Sequence, residues 1–294
     1  MTEFGYLLPT FDVGDMVELG VLAEQAGFDS VWVPDSPFMY GLPDPVTLLA
    51  GLATATRRVT LATGVLLAAM HQPVLLAHRL ATLDQLSGGR LIVGLGYGFD
   101  SPDTERQFAA AGVPFAGRIG RLTETVAVLR ALWSGKPVSH AGTHFAFDEM
   151  TLAPAPTAPP PIWLAGAGAS AERRAGRLAD GWLPYLPTPE LYADGLRRVR
   201  EEGREVTPAL YVTVALDPSV DTAQERLRTT VERWYGRPFD VISTRQATFG
   251  GTPAGLREFL APYLAAGVRH VVLRVAAEEP RRGLDTISQS ISAL

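Results

Sequence analysis

Gly166-Ala-Gly-Ala-Ser170 is the segment whose residue types and spacing most directly suggest chemistry. Two glycines let backbone N–H groups approach an anion, the serine hydroxyl can donate, and a helix running on from Ala171 adds partial positive charge. Gly166, Ala167, Gly168, Ala169 and Ser170 could therefore cradle a phosphate, although a plain strand-to-helix turn has the same composition. Arg173, Arg174 and Arg177 follow, where an arginine cluster can equally be solvated surface. Asp35-Ser36 ends a run rich in valine. Its serine can orient a substrate or a water but cannot hold a proton charge near neutral pH. His71 is a candidate acid or base, or else an ordinary loop histidine. Tyr97, Asp100 and Glu105 form a polar loop of the same kind, whereas Trp133, Trp163 and Trp182 fit core packing.

Composition narrows the possible partners. The 294 residues carry 26 Lys and Arg against 31 Asp and Glu, a formal charge of -5. That balance opposes nonspecific attraction to nucleic acid, and no basic block interleaved with aromatics occurs, so nucleic acid is not expected as a partner. Without cysteine there is no disulfide, thiolate metal site or cysteine nucleophile. The 5 histidines are scattered, without the spacing of a helical zinc site, and no metal is expected. The longest apolar run, from Val59 to Met70, is short and interrupted by Thr and Gly, and no basic segment leads an apolar one at Met1. These features predict a soluble cytoplasmic protein that acts on a small molecule, away from membranes.

The elements that must position these residues alternate between short apolar runs and amphipathic stretches of helical length, the pattern of parallel βα units. Candidate strands are Phe4 to Leu8, Ser30 to Pro34, Val59 to Val65, Leu91 to Leu95, Ile162 to Ala165, Gly181 to Tyr185, Leu210 to Leu216 and His270 to Val275. Their number is the one that closes a barrel. The absence of a G-x-G-x-x-G turn after the first of them disfavours the competing doubly wound sheet. The predicted fold is a (β/α)8 TIM barrel, one domain over residues 1–294, with insertions in the C-terminal-face loops. Helices keep their apolar period through Val17, Leu19, Val21 and Leu22, and through Val74, Leu75, Leu80 and Leu83, and stop at Gly27 and Gly88. The main insertion runs over residues 99–161, with a helix near Arg118 to Leu132 and a Pro-rich approach to the fifth strand. A second interruption has helices near Asp221 to Tyr235 and Pro253 to Ala266, separated by a predicted turn at Gly250-Gly251. On this fold Asp35, Ser36 and His71 lie at the catalytic mouth.

A series of motifs, in order, carries a resemblance over nearly the whole chain. They are Ala26-Gly-Phe-Asp-Ser-Val-Trp-Val-Pro-Asp35, Asp44-Pro-Val-Thr-Leu-Leu-Ala50, Leu61-Ala-Thr-Gly-Val65, Pro73-Val-Leu-Leu-Ala77 and the segment from Ala81 to Gly96. Later come Ala131-Leu-Trp-Ser-Gly135, Pro160-Pro-Ile-Trp-Leu-Ala-Gly166, Asp180-Gly-Trp182 and Gly251-Thr-Pro253. Together they resemble the bacterial luciferase-like family, in particular its actinobacterial branch associated with the deazaflavin coenzyme F420. The resemblance implies a bulge at Thr63-Gly64-Val65, often with a non-proline cis peptide, against the central ring of the cofactor. It also implies contacts to the ring edge or the lid from Tyr97, Asp100 and Glu105, counts Gly96 and Tyr97 among the cofactor-binding residues, and makes Gly166 to Ser170 the site of the ribityl phosphate. In many deazaflavin members a histidine follows the strand-end aspartate; here Ser36 stands in its place.

Three readings follow. The first is an oxidoreductase in which reduced F420 delivers hydride to an activated double bond of a small organic substrate, with Asp35, Ser36 and His71 at the reacting side. The second is a monooxygenase using reduced FMN and oxygen. The third, a non-catalytic scaffold, has no need of a polar strand end, a Gly-rich cradle and a bulged strand together. The resemblance further implies a homodimer, for which the apolar helix from Pro73 to Leu86 is the candidate surface.

Overall fold

The computed structural model describes residues 2–9, 12–38 and 41–291. In chain order its strands are β1 (Glu3–Leu7), β2 (Ser30–Val33), β3 (Thr60–Thr63), β4 (Leu66–Leu67), β5 (Leu91–Gly96), β6 (Val138–Ala141), β7 (Ala146–Met150), β8 (Ile162–Ala165), β9 (Gly181–Leu183), β10 (Thr207–Leu216), β11 (Ala247–Gly251) and β12 (His270–Val275). The helices are α1 (Val13–Gln25), α2 (Pro45–Ala55), α3 (Pro73–Ser87), α4 (Pro102–Ala110), α5 (Arg118–Leu132), α6 (Ala169–Leu178), α7 (Pro189–Arg200), α8 (Val220–Tyr235), α9 (Phe239–Ser243), α10 (Pro253–Ala265) and α11 (Pro280–Ile291).

Strand order is β10-β12-β1-β2-β3-β5-β8-β9, and β9 pairs again with β10, so the sheet closes. The fold is a (β/α)8 barrel. Its eight strands are those that the sequence predicts, and they are buried along most of their length, as β5 is at every position. Two further strands hang on this circuit, β4 beside β5 and β11 beside β10. β11 corrects one expectation: Gly250 and Gly251 are not a turn but the end of a strand in register with Ala215 and Leu216. A Cβ on Gly250 would press on the backbone of Gln224, so glycine there serves close helix–strand packing.

Two compact units make up the chain, one of Met1–Trp32 with Leu164–Leu294, the other Val33–Trp163. In the Val33–Trp163 unit, α2, α3 and α4 begin where a polar residue precedes proline, whereas α5 follows Gly117. Asp44, Gln72 and Ser101 each accept an N–H of the first turn, and Pro45, Pro73 and Pro102 need no acceptor there. Leu76, Leu80, Leu122, Val126, Leu129 and Trp133 fill its core, and the Trp133 indole donates to the Ala77 carbonyl at 3.1 Å. The hairpin β6–β7 belongs to the insertion and docks on α5 through Glu124, which accepts from His140 at 2.9 Å and from the His144 and Phe145 N–H groups at 2.9 and 2.8 Å. In the other unit the parallel pairs β1–β12 and β10–β12 carry the core of Tyr6, Leu210, Val212, Val271 and Leu273. Trp182 is fully buried and stacks on Tyr192 of α7 at 5.3 Å, a core role as expected.

Candidate active site

β3 stops at Thr63 because the next two residues leave the ladder, and the strand direction resumes only at β4. The Gly64–Val65 peptide is cis, as the resemblance implies. Three contacts fix this bulge. The Gly64 N–H donates to the Val33 carbonyl at 2.7 Å, the Thr63 hydroxyl donates to the Gly94 carbonyl at 2.7 Å, and Leu66 and Leu67 pair with Leu95 and Gly96. Neighbouring glycines make room for it. A Cβ on Gly94 would overlap the Thr63 carbonyl oxygen, and one on Gly96 would lie 2.7 Å from a Val65 methyl. Thr63, Gly64 and Gly96 are buried, which leaves the half-buried Val65 and Tyr97 as the side chains this segment can offer to a ligand.

Asp35 and Ser36 follow β2, and both are engaged. Asp35 accepts the Leu67 N–H at 2.9 Å and stands 3.9 Å from the His71 ring, its side chain only 6% exposed against 21% for His71. His71 closes the 3-10 turn Ala68–Met70, so the same turn that follows the bulge delivers it to Asp35. At 3.9 Å the two groups are neighbours without a hydrogen bond between them. The Ser36 hydroxyl donates to Gln107 Oε1 at 3.2 Å. Gln107 is a site neighbour that sequence reasoning missed. Its signal was a polar residue at a helical core position, between Thr104 and Phe108 on the buried face of α4. Arg118 was missed too: its guanidinium lies 3.7 Å over Phe115 and 6.0 Å from the Tyr97 ring, and 3.7 Å from Asp100.

In the other unit, Gly166 and Gly168 take φ values of 132° and 90°, which only glycine adopts without strain, and so turn the chain from β8 into α6. The Trp182 indole donates to the Gly166 carbonyl at 3.0 Å and fixes the turn from below. Gly168 is the cap of α6, and its own N–H is already used, donating to Glu172 Oε1 at 3.0 Å. Glu172 is buried and its other oxygen meets Arg198 Nε at 2.5 Å, which balances the carboxylate. The N–H groups of Ala169 and Ser170 have no acceptor among the described residues, and both residues are exposed. A Cβ on Gly168 would meet open space. Two backbone donors at Ala169 and Ser170 are thus open to an anion. Of the arginines that follow, Arg177 pairs with Glu202 at 3.4 Å, a surface contact.

Among the described residues no cluster of His, Asp and Glu could hold a metal ion, and no helix is long and apolar enough to cross a membrane. Residues 2–278 match the family model of the luciferase-like monooxygenases. The chain belongs to that family. It is an oxidoreductase. An F420-dependent glucose-6-phosphate dehydrogenase of Microbacterium testaceum is 31% identical over 77% of this chain and 72% of its own length, and one of Nakamurella multipartita is 28% identical over 98% and 95%. Among solved structures, an F420-dependent secondary alcohol dehydrogenase in complex with an F420-acetone adduct superposes with a TM-score of 0.86 at 23% identity, covering 99% of this chain and 98% of the other. A monooxygenase of Streptomyces bottropensis superposes at 0.84 with 26% identity, covering 99% of both.

Proposed function

We propose that this luciferase-like chain is an F420-dependent oxidoreductase that reduces an activated double bond of a small organic substrate. The observation that carries the reading is the likeness, nearly end to end, to curated enzymes named for F420 dependence. Two local features support it: the bulge held between Val33 and Gly94, and the first turn of α6 with its N–H groups free of protein acceptors.

Bound deazaflavin supplies hydride transfer at its central ring. For their part, Thr63, Gly64 and Val65 present a fixed backbone and one apolar side chain to the ring, with Gly96 and Tyr97 beside them. Ala169 and Ser170 take the phosphate, the α6 dipole adding to two backbone donors, while Gly166, Ala167 and Gly168 shape the turn. At the reacting side the Ser36 hydroxyl, its proton donated to Gln107, can accept from a water or from a substrate N–H or O–H. His71, beside Asp35, is the group able to deliver a proton. No histidine follows Asp35, so the residue best placed to take a hydroxyl proton during alcohol oxidation is missing, and reduction of a polarised double bond is favoured. The homodimer and a cytoplasmic setting belong to the same proposal.

Likeness to the Streptomyces bottropensis monooxygenase favours a second reading, oxygen chemistry on reduced FMN. Anaerobic titration of the purified protein with F420 and with FMN separates the two. Micromolar binding of F420, with FMN at least ten-fold weaker, is expected; preferential FMN binding and rapid reaction of the reduced complex with oxygen would overturn the proposal.

A further inference from the structure

Arg274, on β12, has no carboxylate partner among the described residues. A half-buried guanidinium in that position is costly unless something answers its charge. Register places it opposite Thr213 of β10, and Tyr211, two residues back, shares that face. Trp182, in register with Pro208, points to the opposite face, toward α7. Arg274 therefore projects from the face of the sheet turned away from α7.

Aromatic groups enclose it. Arg274 Nη1 donates to the Tyr235 hydroxyl at 3.1 Å and lies 3.5 Å from that of Tyr211, and the guanidinium carbon sits 3.8 Å over the Trp234 ring. Tyr185 packs on Tyr211 with ring centroids 4.6 Å apart. Gln246 holds the frame, donating to Thr213 at 3.1 Å and accepting from Tyr235 at 3.2 Å. Burial pushes the phenols of Tyr185 and Tyr211 up, so they stay neutral and leave the cation unanswered at physiological pH. One edge of the guanidinium, Nε with Nη2, has no acceptor among the described residues and is not sealed from solvent. That edge offers two parallel N–H groups, the fork that matches a carboxylate in bidentate fashion.

We infer that Arg274, walled by Trp234, Tyr185, Tyr211 and Tyr235, is a carboxylate-recognition site, and that the substrate is an organic acid whose apolar or aromatic body packs against these rings. The inference rests on the proposed hydride-transfer function for the fate of the bound acid, while binding itself is tested apart from it. A planar carboxylate fits the single free edge; a tetrahedral phosphate gains less from it.

The test uses the whole protein without cofactor, titrated with benzoate and, separately, with inorganic phosphate, and followed by tryptophan fluorescence and calorimetry. Saturable benzoate binding stronger than phosphate binding is expected, falling at least ten-fold in Arg274→Leu and partly restored in Arg274→Lys, with F420 affinity changed less than two-fold in either variant. Arg274→Lys keeps the charge at this position, so it serves if the leucine variant does not fold. Benzoate binding that is absent, or equal in wild type and both variants, overturns the site. A ten-fold loss of F420 affinity in Arg274→Lys overturns the substrate assignment, because the carboxylate recognised would then be the cofactor's. Failure of F420 to bind the wild-type protein would sink the proposed function and leave the benzoate result standing.

Discussion

Ser36 donates its one hydroxyl hydrogen to Gln107 in a neutral hydrogen bond of 3.2 Å, long for an O–H donor. Such a bond contributes about 1 kcal/mol, so Ser36→Ala should slow turnover less than about ten-fold. Ser36→His restores a base beside Asp35 and should raise alcohol oxidation with oxidised F420, measured by loss of the cofactor's absorbance. Gln107 has to give way to the larger ring, so Ser36→His with Gln107→Ala should exceed the single variant. No gain in either would remove Ser36 from the reacting side. At the cradle, Gly168→Asp sets a carboxylate next to the Ala169 and Ser170 N–H groups at a φ of 90°, which disfavours any side chain. F420 affinity should drop by at least ten-fold, about 1.4 kcal/mol. Unchanged affinity in the folded variant would separate the turn from the phosphate.

Element-scale behaviour turns on two contacts. β5 lies against the bulge only because Gly94 lacks a Cβ; Gly94→Ala forces the Thr63 carbonyl aside. The expected cost is about 1–3 kcal/mol of stability by thermal melt, together with weaker F420 binding, since the bulge is the wall the ring would meet. The hairpin β6–β7 depends on Glu124. Burial acts to raise this carboxyl, but the His140 ring and the His144 and Phe145 N–H groups outweigh it and hold it below its ordinary value of 4.5. Because the folded value is the lower one, this stabilisation is complete above the ordinary carboxylate range and is lost as pH falls through the lowered value. Protection of the β6–β7 amides, taken relative to the intrinsic exchange rate at each pH, should therefore fall under acid conditions in the wild type. In Glu124→Gln the acid step should be missing, and an identical pH profile would show that Glu124 does not anchor the hairpin.

At the scale of the molecule, α3 carries the expectation of a dimer in a narrower form than its sequence suggests. Leu76, Leu80 and Leu83 are spent on the core, whereas Leu75 and Leu86 remain 56% and 49% exposed. About three helical turns separate the two, so they line one outer stripe with Arg79 and Thr82 between them. Light scattering at micromolar concentration should give a dimer, and Leu75→Glu with Leu86→Glu should shift it toward monomer. A monomeric wild type would end the proposal.

Local sequence determined a great deal of this protein. Apolar runs bounded by turn residues located the eight barrel strands. Gly88 ends α3 in the left-handed conformation that glycine adopts freely, and the glycines from 166 to 168 placed the start of α6 within a residue or two. These are short-range facts, set by sterics and by which face of an element must be dry. Only the tertiary structure decided which partners the polar groups find. Ser36 meets Gln107 and Asp35 meets the Leu67 N–H, while Glu172 takes the Gly168 N–H and Arg198 balances it. Arg274 ends among tyrosines rather than beside an acid, and Gly250-Gly251 pairs as a strand where composition suggested a turn. Periodicity fixes the face on which a side chain lies, but its hydrogen-bond partner comes from an element distant in sequence, and that choice is made by packing.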